Sequence, residues 1–348
     1  MQKSTHQYST DMIPIFLISD EKYAPYMCTT IVSILENTSR ACSLFILDGG
    51  ILPNTRQQIQ ETAQRYPHLQ DIEFIHVDIE RFASFPNLMH FSLNMYSRYL
   101  IPELKPELQK ALYIDSDMII TTDVGKLFDT DMQGMPLAAV PYRDERPDLN
   151  HYVQKQKDKH IKRKLGLTDK HLYFNSGLLI MDCDYFRQHG WVTRLFELTA
   201  EKAAMVKYPD QDILNLLTCC NYHVLDDSWN AVIDIDRMYG IQHAELPKVL
   251  HFTGGSDTRP WMSLTCPYRA EFDKYARETP FANEIFTKRL EFETLAQKRI
   301  LAKLIEAEYA RKRSPLHRLW MRLTGRRKQN QQAYAYWACL MNQLNCDS

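Results

Sequence analysis

The chain of 348 residues is long enough for one large α/β domain with an appendage, or for two modest domains. Hydrophobic residues make up 45% and charged residues 24%, as in ordinary globular proteins, and the formal net charge of −1 argues against a nucleic-acid partner. The eight cysteines show no CxxC or zinc-ligand spacing, and the N-terminal residues lack the apolar core of a secretory signal. We therefore expect reduced cytoplasmic thiols, and no run of about 20 apolar residues predicts a membrane span.

Short apolar runs alternate with amphipathic segments along the first half of the chain. Strands are predicted at 13–19, 43–48 and 72–77, with a helix over about 24–37 and another ending at Tyr66. Later strands are predicted at 111–115, 136–142, 176–182, 223–227 and 248–255. This β-α-β-α-β order is typical of a mixed, mostly parallel sheet with helices on both faces.

The character of the sequence changes near residue 283. We predict an N-terminal extension over 1–12, a catalytic domain over 13–283 and a basic helical region over 284–348. Residues 288–328 contain thirteen Lys or Arg against four Glu. Within them, Ser314-Pro315 predicts the start of a short amphipathic helix, with apolar residues at helical spacing and arginines around them. Two interpretations stay open: contact with an anionic membrane surface, or a solvated helix packed on the domain or in a dimer.

The stretch ALYIDSDMII places two carboxylates, Asp115 and Asp117, directly after an apolar strand. If the strand continues through both, their side chains point to the same side. Two like charges this close destabilise each other unless a cation lies between them. Ligands collect at the carboxyl ends of strands in open α/β sheets, although a lone Asp-x-Asp is also common where a strand enters a turn.

Further polar side chains recur at predicted strand ends and helix starts, where chemistry is expected. They are Asp20, Tyr23, His90, Arg98, Asn175, Asp210, Gln211, Asp212, His251, Gly254 and Arg259. In this order they resemble glycosyltransferase family 8, especially bacterial lipooligosaccharide galactosyltransferases and lipopolysaccharide glucosyl- and galactosyltransferases, over about residues 13–265. The resemblance implies a GT-A fold, a UDP-galactose or UDP-glucose donor, a Mn²⁺ cofactor with Mg²⁺ as the alternative, and retention of anomeric configuration.

The resemblance also implies roles for individual residues. Asp115 and Asp117 would form the metal-binding Asp-x-Asp, with His251 as the third ligand. The donor-binding residues would be Asp20 and Tyr23 at the uridine, His90 and Arg98 near the sugar or phosphate, Asn175, Asp210 and Gln211 at the hexose, and Gly254 and Arg259 at the diphosphate. Gln211 and Asp210 would be the catalytic residues. Tyr142 stands where relatives commonly carry an acidic residue that faces the acceptor, which leaves the acceptor open.

Structural interpretations stand beside these roles. His251 alone is more often a hydrogen-bonded structural histidine, Asp210 and Asp212 can be helix caps, and Tyr23 can belong to the core. A metal-dependent phosphoryl-transfer enzyme is a second function class, but the first strand is followed by ISDEKYAP, which has no glycine for a phosphate loop. A non-catalytic, membrane-associated sugar-nucleotide binder is a third.

The basic C-terminal region and the resemblance together predict where the protein works. A glycan or glycolipid acceptor, such as lipopolysaccharide or lipooligosaccharide core, would be met at the cytoplasmic face of the inner membrane. The protein would then be cytoplasmic and peripheral, held by contact with anionic lipid.

Overall fold

The computed structural model describes residues 12–86, 92–141, 160, 164–167, 172–234 and 243–313. The strands in these ranges are β1 Ile13–Ser19, β2 Cys42–Asp48, β3 Leu69–His76, β4 Lys110–Ile114, β5 Met118–Ile120, β6 Leu137–Ala139, β7 Leu178–Asp182, β8 His223–Val224, β9 Ala231–Val232 and β10 Val249–His251. The α-helices are Ala24–Asn37, Pro53–Ala63, Ile101–Leu104, Gly125–Phe128, Cys183–Gln188, Trp191–Lys202, Pro209–Thr218, Arg269–Ala276 and Ala282–Arg313. Short 3₁₀ segments are Ile79–Phe82, Leu93–Leu100, Asp227–Asn230 and Ser256–Thr258.

The main sheet has the strand order β3-β2-β1-β4-β7-β6-β8. The pairs β1–β2, β2–β3, β1–β4 and β6–β8 are parallel, whereas β7 runs antiparallel to both β4 and β6. The predicted mixed, mostly parallel α/β sheet is therefore confirmed. Because β1 and β4 are parallel neighbours, their carboxyl ends, at Ser19 and Ile114, meet at the same edge.

Both faces of this sheet are covered. Ile13, Ile15 and Leu17 of β1 belong to one buried cluster and Phe16 to another, as expected when successive side chains point to opposite faces. This two-sided burial explains why the strand reads as one continuous apolar run. Fully burying each such side chain stabilises the fold by about 1.5–3 kcal/mol.

A smaller sheet has the order β5-β10-β9. Strand β10 pairs antiparallel with β5, with His251 opposite Met118, and parallel with β9. Strand β5 begins directly after the acidic pair, so this sheet brings a late part of the sequence beside β4. No periodicity in the sequence indicates this pairing.

Several predicted boundaries are corrected. Strand β4 ends at Ile114, and residues 115–117 form a turn before β5, so strand alternation does not align the two aspartates. The strands predicted at 136–142 and 248–255 are limited to β6 and β10, and the second helix ends at Ala63 instead of Tyr66. Prolines at 136 and 141 flank β6, and the Thr-Gly-Gly end of the stretch 248–255 lies outside β10.

The chain divides into two compact units, Met1–Arg289 and Leu290–Ser348. Ile285 and Arg289 are buried, and Arg289 forms an ion pair with the buried Asp273, so the helix that begins at Ala282 contributes to the first unit. The predicted domain boundary at residue 283 stays a prediction. The amphipathic helix predicted from Ser314 lies outside the described residues. No helix in the described ranges has an apolar stretch of the length needed to cross a bilayer.

Candidate active site

The acidic pair lies in a turn that is tied to the neighbouring elements. The Ser116 hydroxyl donates to the carbonyl of Ile18, and the Thr30 hydroxyl lies 2.7 Å from the carbonyl oxygen of Met118. These bonds fasten the turn to the end of β1 and to the helix Ala24–Asn37. Asp115 and Asp117 are therefore held by a defined backbone, although they are not in a strand.

His251 joins the pair through the smaller sheet. Its Nε2 lies 3.2 Å from Asp117 Oδ1 and 3.7 Å from Asp115 Oδ2, and the three prospective ligand atoms all lie within 4.8 Å of one another. The backbone amide of Phe252 donates to the Asp117 carbonyl at 3.0 Å, which fixes the strand carrying His251 against the turn. His251 itself is buried, whereas both carboxylates are partly exposed.

Gly177 forms a wall of this cluster. A Cβ atom added there would lie 2.5 Å from His251 Cε1 and 2.7 Å from Asp115 Oδ2, well inside contact distance. The Asp115 amide donates to the Gly177 carbonyl at 2.7 Å, so the two backbones are held close together. The glycine is needed for space, and the sequence analysis did not single it out.

The donor set fits a divalent cation. Two carboxylates and one imidazole suit Mn²⁺, whereas Mg²⁺ prefers an all-oxygen shell with several waters. Two ligands at right angles and about 2.1 Å from one ion are about 3 Å apart, close to the separation of His251 Nε2 and Asp117 Oδ1. Because Gly177 has no side chain, the side chains of Asp115 and His251 can lie close to each other.

Arg98 connects the cluster to a second acidic group. Its Nη2 lies 3.1 Å from Asp115 Oδ1, and its Nη1 lies 3.1 Å from Asp210 Oδ2 and 2.7 Å from the Ser176 carbonyl. Its guanidinium also stacks 4.3 Å above the Tyr113 ring, and the Tyr113 hydroxyl donates to Asp115 Oδ1. With Oδ1 engaged twice, Asp115 keeps Oδ2 directed at His251.

Asp210 is buried, at the first turn of the helix Pro209–Thr218. Burial raises the pKa of its carboxyl, the Arg98 guanidinium opposes that shift, and the Asp115 carboxylate adds to it. The Ser176 hydroxyl donates to Asp210 Oδ2 at 3.2 Å. Asp210 is therefore a positioned carboxyl in a charged network, and capping the helix is not its main contact.

Asp212 has the structural role. Its Oδ2 accepts from the backbone amides of Lys207 and Tyr208 at 2.7 and 3.0 Å, which satisfies two donors at the helix start. The same oxygen lies 2.9 Å from His160 Nε2, and the Tyr173 hydroxyl donates to Oδ1. Asp212 is therefore a structural residue that binds the segment before the helix, while the N-cap position itself is Tyr208.

Asn175 and Gln211 belong to one buried hydrogen-bond network. The Asn175 amide nitrogen donates to Gln211 Oε1 at 3.0 Å, and the Ser176 backbone amide donates to the same oxygen at 3.1 Å. Gln211 Nε2 donates to the Tyr173 hydroxyl at 2.9 Å. The amide oxygen of Gln211 is thus occupied, which makes it a positioned polar group and a poor nucleophile.

The residues predicted at the uridine form an aromatic wall beside β1. Asp20 Oδ1 accepts the backbone amide of Tyr23 at 2.9 Å, which fixes the entry to the helix Ala24–Asn37. Tyr23 meets Tyr26 and Trp261 edge to face, and the latter two rings stack at 4.3 Å. Tyr23 is only partly buried and packs on the core, so it keeps an accessible surface as well as a structural contact.

The segment that contains Arg259 lies near the same wall. Burial raises the pKa of the Tyr23 hydroxyl, with Arg259 lowering it and Asp117 raising it, so both charges are close enough to act on this ring. The Nε of Arg259 is buried without a hydrogen-bond partner among the described residues. Gly254 has φ +86°, and a Cβ there would lie 2.4 Å from Asp234 Cγ, so backbone conformation and the aspartate both require the glycine.

Two predicted positions lie outside the described residues: His90, and Tyr142 at the expected acceptor side. The sequence analysis in turn missed residues that support the site, namely Gly177, Ser176, Tyr113 and Asn230. Tyr113 had a usable signal, since it precedes Asp115 by two positions at the end of a strand. Asn230 had none, because only the tertiary structure brings it to His251, where its Oδ1 lies 3.0 Å from Nδ1.

Comparison with known proteins shows the family of this chain. The sequence model described as Glycosyl transferase family 8 matches residues 14–265, which include all the described residues of the site. The chain belongs to glycosyltransferase family 8. The enzyme is therefore a glycosyltransferase, as the sequence analysis predicted, and its catalytic unit has the GT-A fold.

Individual relatives are similar to this glycosyltransferase over most of its length. General stress protein A of Bacillus subtilis is 28% identical over 77% of this chain and 94% of its own length. A lipopolysaccharide 1,2-glucosyltransferase of Escherichia coli is 23% identical over 70% of this chain and 71% of its own. Among solved structures, the galactosyltransferase LgtC, in complex with donor and acceptor sugar analogues, is 25% identical with a TM-score of 0.63, covering 77% of this chain and 96% of that one.

Proposed function

We propose that this glycosyltransferase transfers galactose or glucose from a UDP-hexose to a hydroxyl of a glycan acceptor, with retention of anomeric configuration. The observation that carries the proposal is the meeting of Asp115, Asp117 and His251 next to the Arg98–Asp210 ion pair. The names of the relatives, a lipopolysaccharide glucosyltransferase and a galactosyltransferase with bound donor and acceptor analogues, support a hexose donor.

The uridine end of the donor would lie along the wall formed by Tyr23 and Asp20. A partly exposed tyrosine ring offers a face on which uracil stacks, and a carboxylate accepts from base or ribose donors. Arg259 would meet the diphosphate, because its charge is close enough to act on the Tyr23 hydroxyl and its buried Nε has no hydrogen-bond partner in the described part of the chain. His90 and Gly254 remain predicted contacts on the donor side.

Asp115, Asp117 and His251 would hold Mn²⁺, with Mg²⁺ as the alternative. A bound divalent ion neutralises charge that builds on the departing diphosphate. The protein supports this by keeping one oxygen of Asp115 occupied by Arg98 and Tyr113, so that the other is directed at the shared site. Arg259 would add a second, fixed positive charge beside the leaving group.

The transferred hexose would lie between Asn175, Asp210 and Gln211. Retention allows a double displacement through a carboxylate nucleophile, for which Asp210 is the candidate, or attack from the same face as the leaving group. Both Asp210 and Gln211 are engaged by hydrogen bonds that fix them in place. Such groups position hydroxyls and stabilise developing positive charge on the sugar, so we favour attack from the same face.

The acceptor would be lipopolysaccharide or lipooligosaccharide core, met at the cytoplasmic face of the inner membrane. The basic composition of residues 288–328 supports contact with anionic lipid, which gains about 1 kcal/mol for each basic residue near the surface. The relative that acts on lipopolysaccharide supports the same acceptor class.

A panel of UDP-sugars tests the proposal. Purified protein is incubated with Mn²⁺ and each UDP-sugar, with and without acceptor glycan, and free UDP is measured together with the anomeric configuration of the product. UDP release specific to UDP-galactose or UDP-glucose is expected. A binding protein releases no UDP, and a phosphoryl-transfer enzyme yields UMP or phosphate, so either result contradicts the proposal.

A further inference from the structure

Asn230 connects the proposed metal ligand His251 to the protein interior. It is buried at the end of the 3₁₀ segment Asp227–Asn230, directly before β9. Its Oδ1 lies 3.0 Å from His251 Nδ1, and its Nδ2 donates to Asn175 Oδ1 at 2.9 Å. His251 therefore turns Nδ1 inward and Nε2 toward Asp115 and Asp117.

Backbone groups fix the direction of these hydrogen bonds. The Gly177 amide donates to Asn175 Oδ1 at 3.0 Å, and a backbone N–H can only donate. That atom of Asn175 is therefore the oxygen, and the group of Asn230 that faces it must be the NH₂. The other end of the Asn230 amide, its oxygen, then faces His251, so Nδ1 of the imidazole carries the proton.

The other tautomer has a competing partner. A proton on Nε2 would be placed 3.2 Å from Asp117 Oδ1, where it forms a hydrogen bond instead of leaving a lone pair for a cation. The two carboxylates thus favour the tautomer that cannot bind metal. An acceptor at Nδ1 is the contact that opposes them, and Asn230 supplies it.

We propose that Asn230 is a positioning residue that holds His251 with its proton on Nδ1 and its Nε2 free to bind the cation. The inference rests on the metal role of His251 given under the proposed function. It adds the residue that sets the tautomer and, through it, the affinity for the ion. Removing such a partner of a ligating histidine lowers metal affinity by about 10- to 100-fold.

The test compares Asn230→Leu, which has similar volume and no acceptor, with the wild type and with Asn37→Leu. Asn37 is a half-buried amide that donates to the carbonyls of Ser33 and Ile120 and does not contact the cluster. Mn²⁺ affinity is measured by calorimetry without donor. Electron spin-echo spectroscopy of the bound Mn²⁺ then detects the ¹⁴N of a coordinated imidazole, with His251→Gln as the reference that lacks it.

The expected result is a 10- to 100-fold loss of Mn²⁺ affinity and loss of the ¹⁴N signal in Asn230→Leu, with Asn37→Leu like the wild type. An Asn230→Leu protein with wild-type affinity and an intact ¹⁴N signal overturns the inference. A wild-type protein that binds no Mn²⁺ contradicts the proposed metal site instead, so the two failures are distinguishable.

A measurement on the wild type covers the case in which Asn230→Leu does not fold. With ¹⁵N-labelled histidine and no metal, the ring nitrogens report which one carries the proton, and the reading is taken in the pH range in which the ¹⁵N shifts of His251 are those of a neutral ring. The signals of His251 are assigned by their absence in His251→Gln. A protonated Nδ1 is expected, and a protonated Nε2 overturns the inference.

Discussion

His251 meets Asp117 because it pairs with Met118, the residue that follows Asp117 at the start of β5. The antiparallel register between β5 and β10 therefore places an imidazole from late in the chain 3.2 Å from a carboxylate that follows β4. A slip of one residue in this register would turn His251 to the opposite face of the small sheet. The cluster of Asp115, Asp117 and His251 thus depends on the pairing of two three-residue strands.

Replacing Asp117 with Asn should abolish metal-dependent transfer and leave the fold intact. The carboxylate is partly exposed and lies in a turn, so its loss removes a ligand without opening the core. We expect UDP release to fall by at least about 100-fold, since a metal ion contributes several kcal/mol to such a reaction. Asp123→Asn, at another turn outside the cluster, is the control. Full activity of Asp117→Asn in EDTA would refute the metal assignment.

Replacing Gly177 with Ala should impair the site through space alone. The added methyl group would lie 2.5 Å from His251 and 2.7 Å from Asp115, so at least one ligand must move. We expect Mn²⁺ affinity to fall by about 10-fold or more, as for other changes that displace a ligand. Gly125→Ala is the matched control, since its Cβ would lie 3.0 Å from Asp123 Oδ1 and 3.7 Å from Ile13 Cδ1, and neither residue belongs to the cluster. Equal affinities in the two variants would contradict this view of the site.

Arg98→Lys should lower transfer strongly although the charge is kept. A guanidinium reaches Asp115 and Asp210 with separate nitrogens, whereas an ammonium is a single point charge. We expect kcat to fall by about 100-fold, comparable to the loss of one preorganised donor in other enzymes. The comparison is made by steady-state kinetics on protein whose near-UV circular dichroism matches the wild type. Retention of more than half the wild-type kcat would show that one positive charge is sufficient.

The acid limb of the pH–rate profile should reflect Asp210. Burial raises the pKa of this carboxyl, so it takes a proton at higher pH than an ordinary aspartate, whose pKa is about 3.9. Activity is therefore expected to fall as the pH decreases through that raised pKa, because the ion pair with Arg98 is then lost. In Asp210→Asn, the maximal activity should be lower and the decrease of activity at low pH should be absent. If the decrease at low pH is unchanged in this variant, another residue causes it.

The same shift predicts that this acid limb is not caused by unfolding. A carboxyl whose pKa is raised in the folded state favours folding when protonated, and that contribution is lost as the pH rises through the folded pKa. Protonation of Asp210 thus lowers activity without lowering the stability of the fold. Melting temperatures of the wild type and of Asp210→Asn are measured over the pH range of the acid limb. If the melting temperature of the wild type falls in parallel with its activity, and that of Asp210→Asn does not fall, the prediction is contradicted.

Deleting residues 298–348 should release the enzyme from membranes and preserve Mn²⁺-dependent UDP release. The cut is placed beyond Arg289, because a deletion of 284–348 would remove the Arg289 guanidinium that pairs with both oxygens of the buried Asp273 and leave only Arg269 as its partner. Membrane contact is measured by sedimentation with anionic vesicles. A full-length variant with Arg-to-Gln changes at 318, 322, 326 and 327 tests whether loss of positive charge alone has the same effect as the deletion. Unchanged sedimentation of the truncated protein would refute membrane contact through this region.

The sequence by itself determined the class of the fold and the identity of the acidic pair. Buried strands such as β1 and β4 have long apolar runs, and helix starts such as Pro25 and Pro209 carry local signals that do not depend on the rest of the chain. The position of Asp115 and Asp117 directly after a buried strand made them candidates, and the ordered resemblance to glycosyltransferase family 8 over about residues 13–265 assigned them the metal role.

Only the tertiary structure decided how these groups meet. The aspartates converge because they lie in a turn that the Ser116 hydroxyl binds to the end of β1, and not because of strand alternation. His251 reaches them through the pairing of short strands that have no sequence periodicity. Gly177 and Asn230 support the site through space and one hydrogen bond, which depend on contacts between residues distant in sequence. Hydrophobic patterning is a local property of the chain, whereas ligand geometry is a property of the packed fold, and for this reason the sequence alone could not supply it.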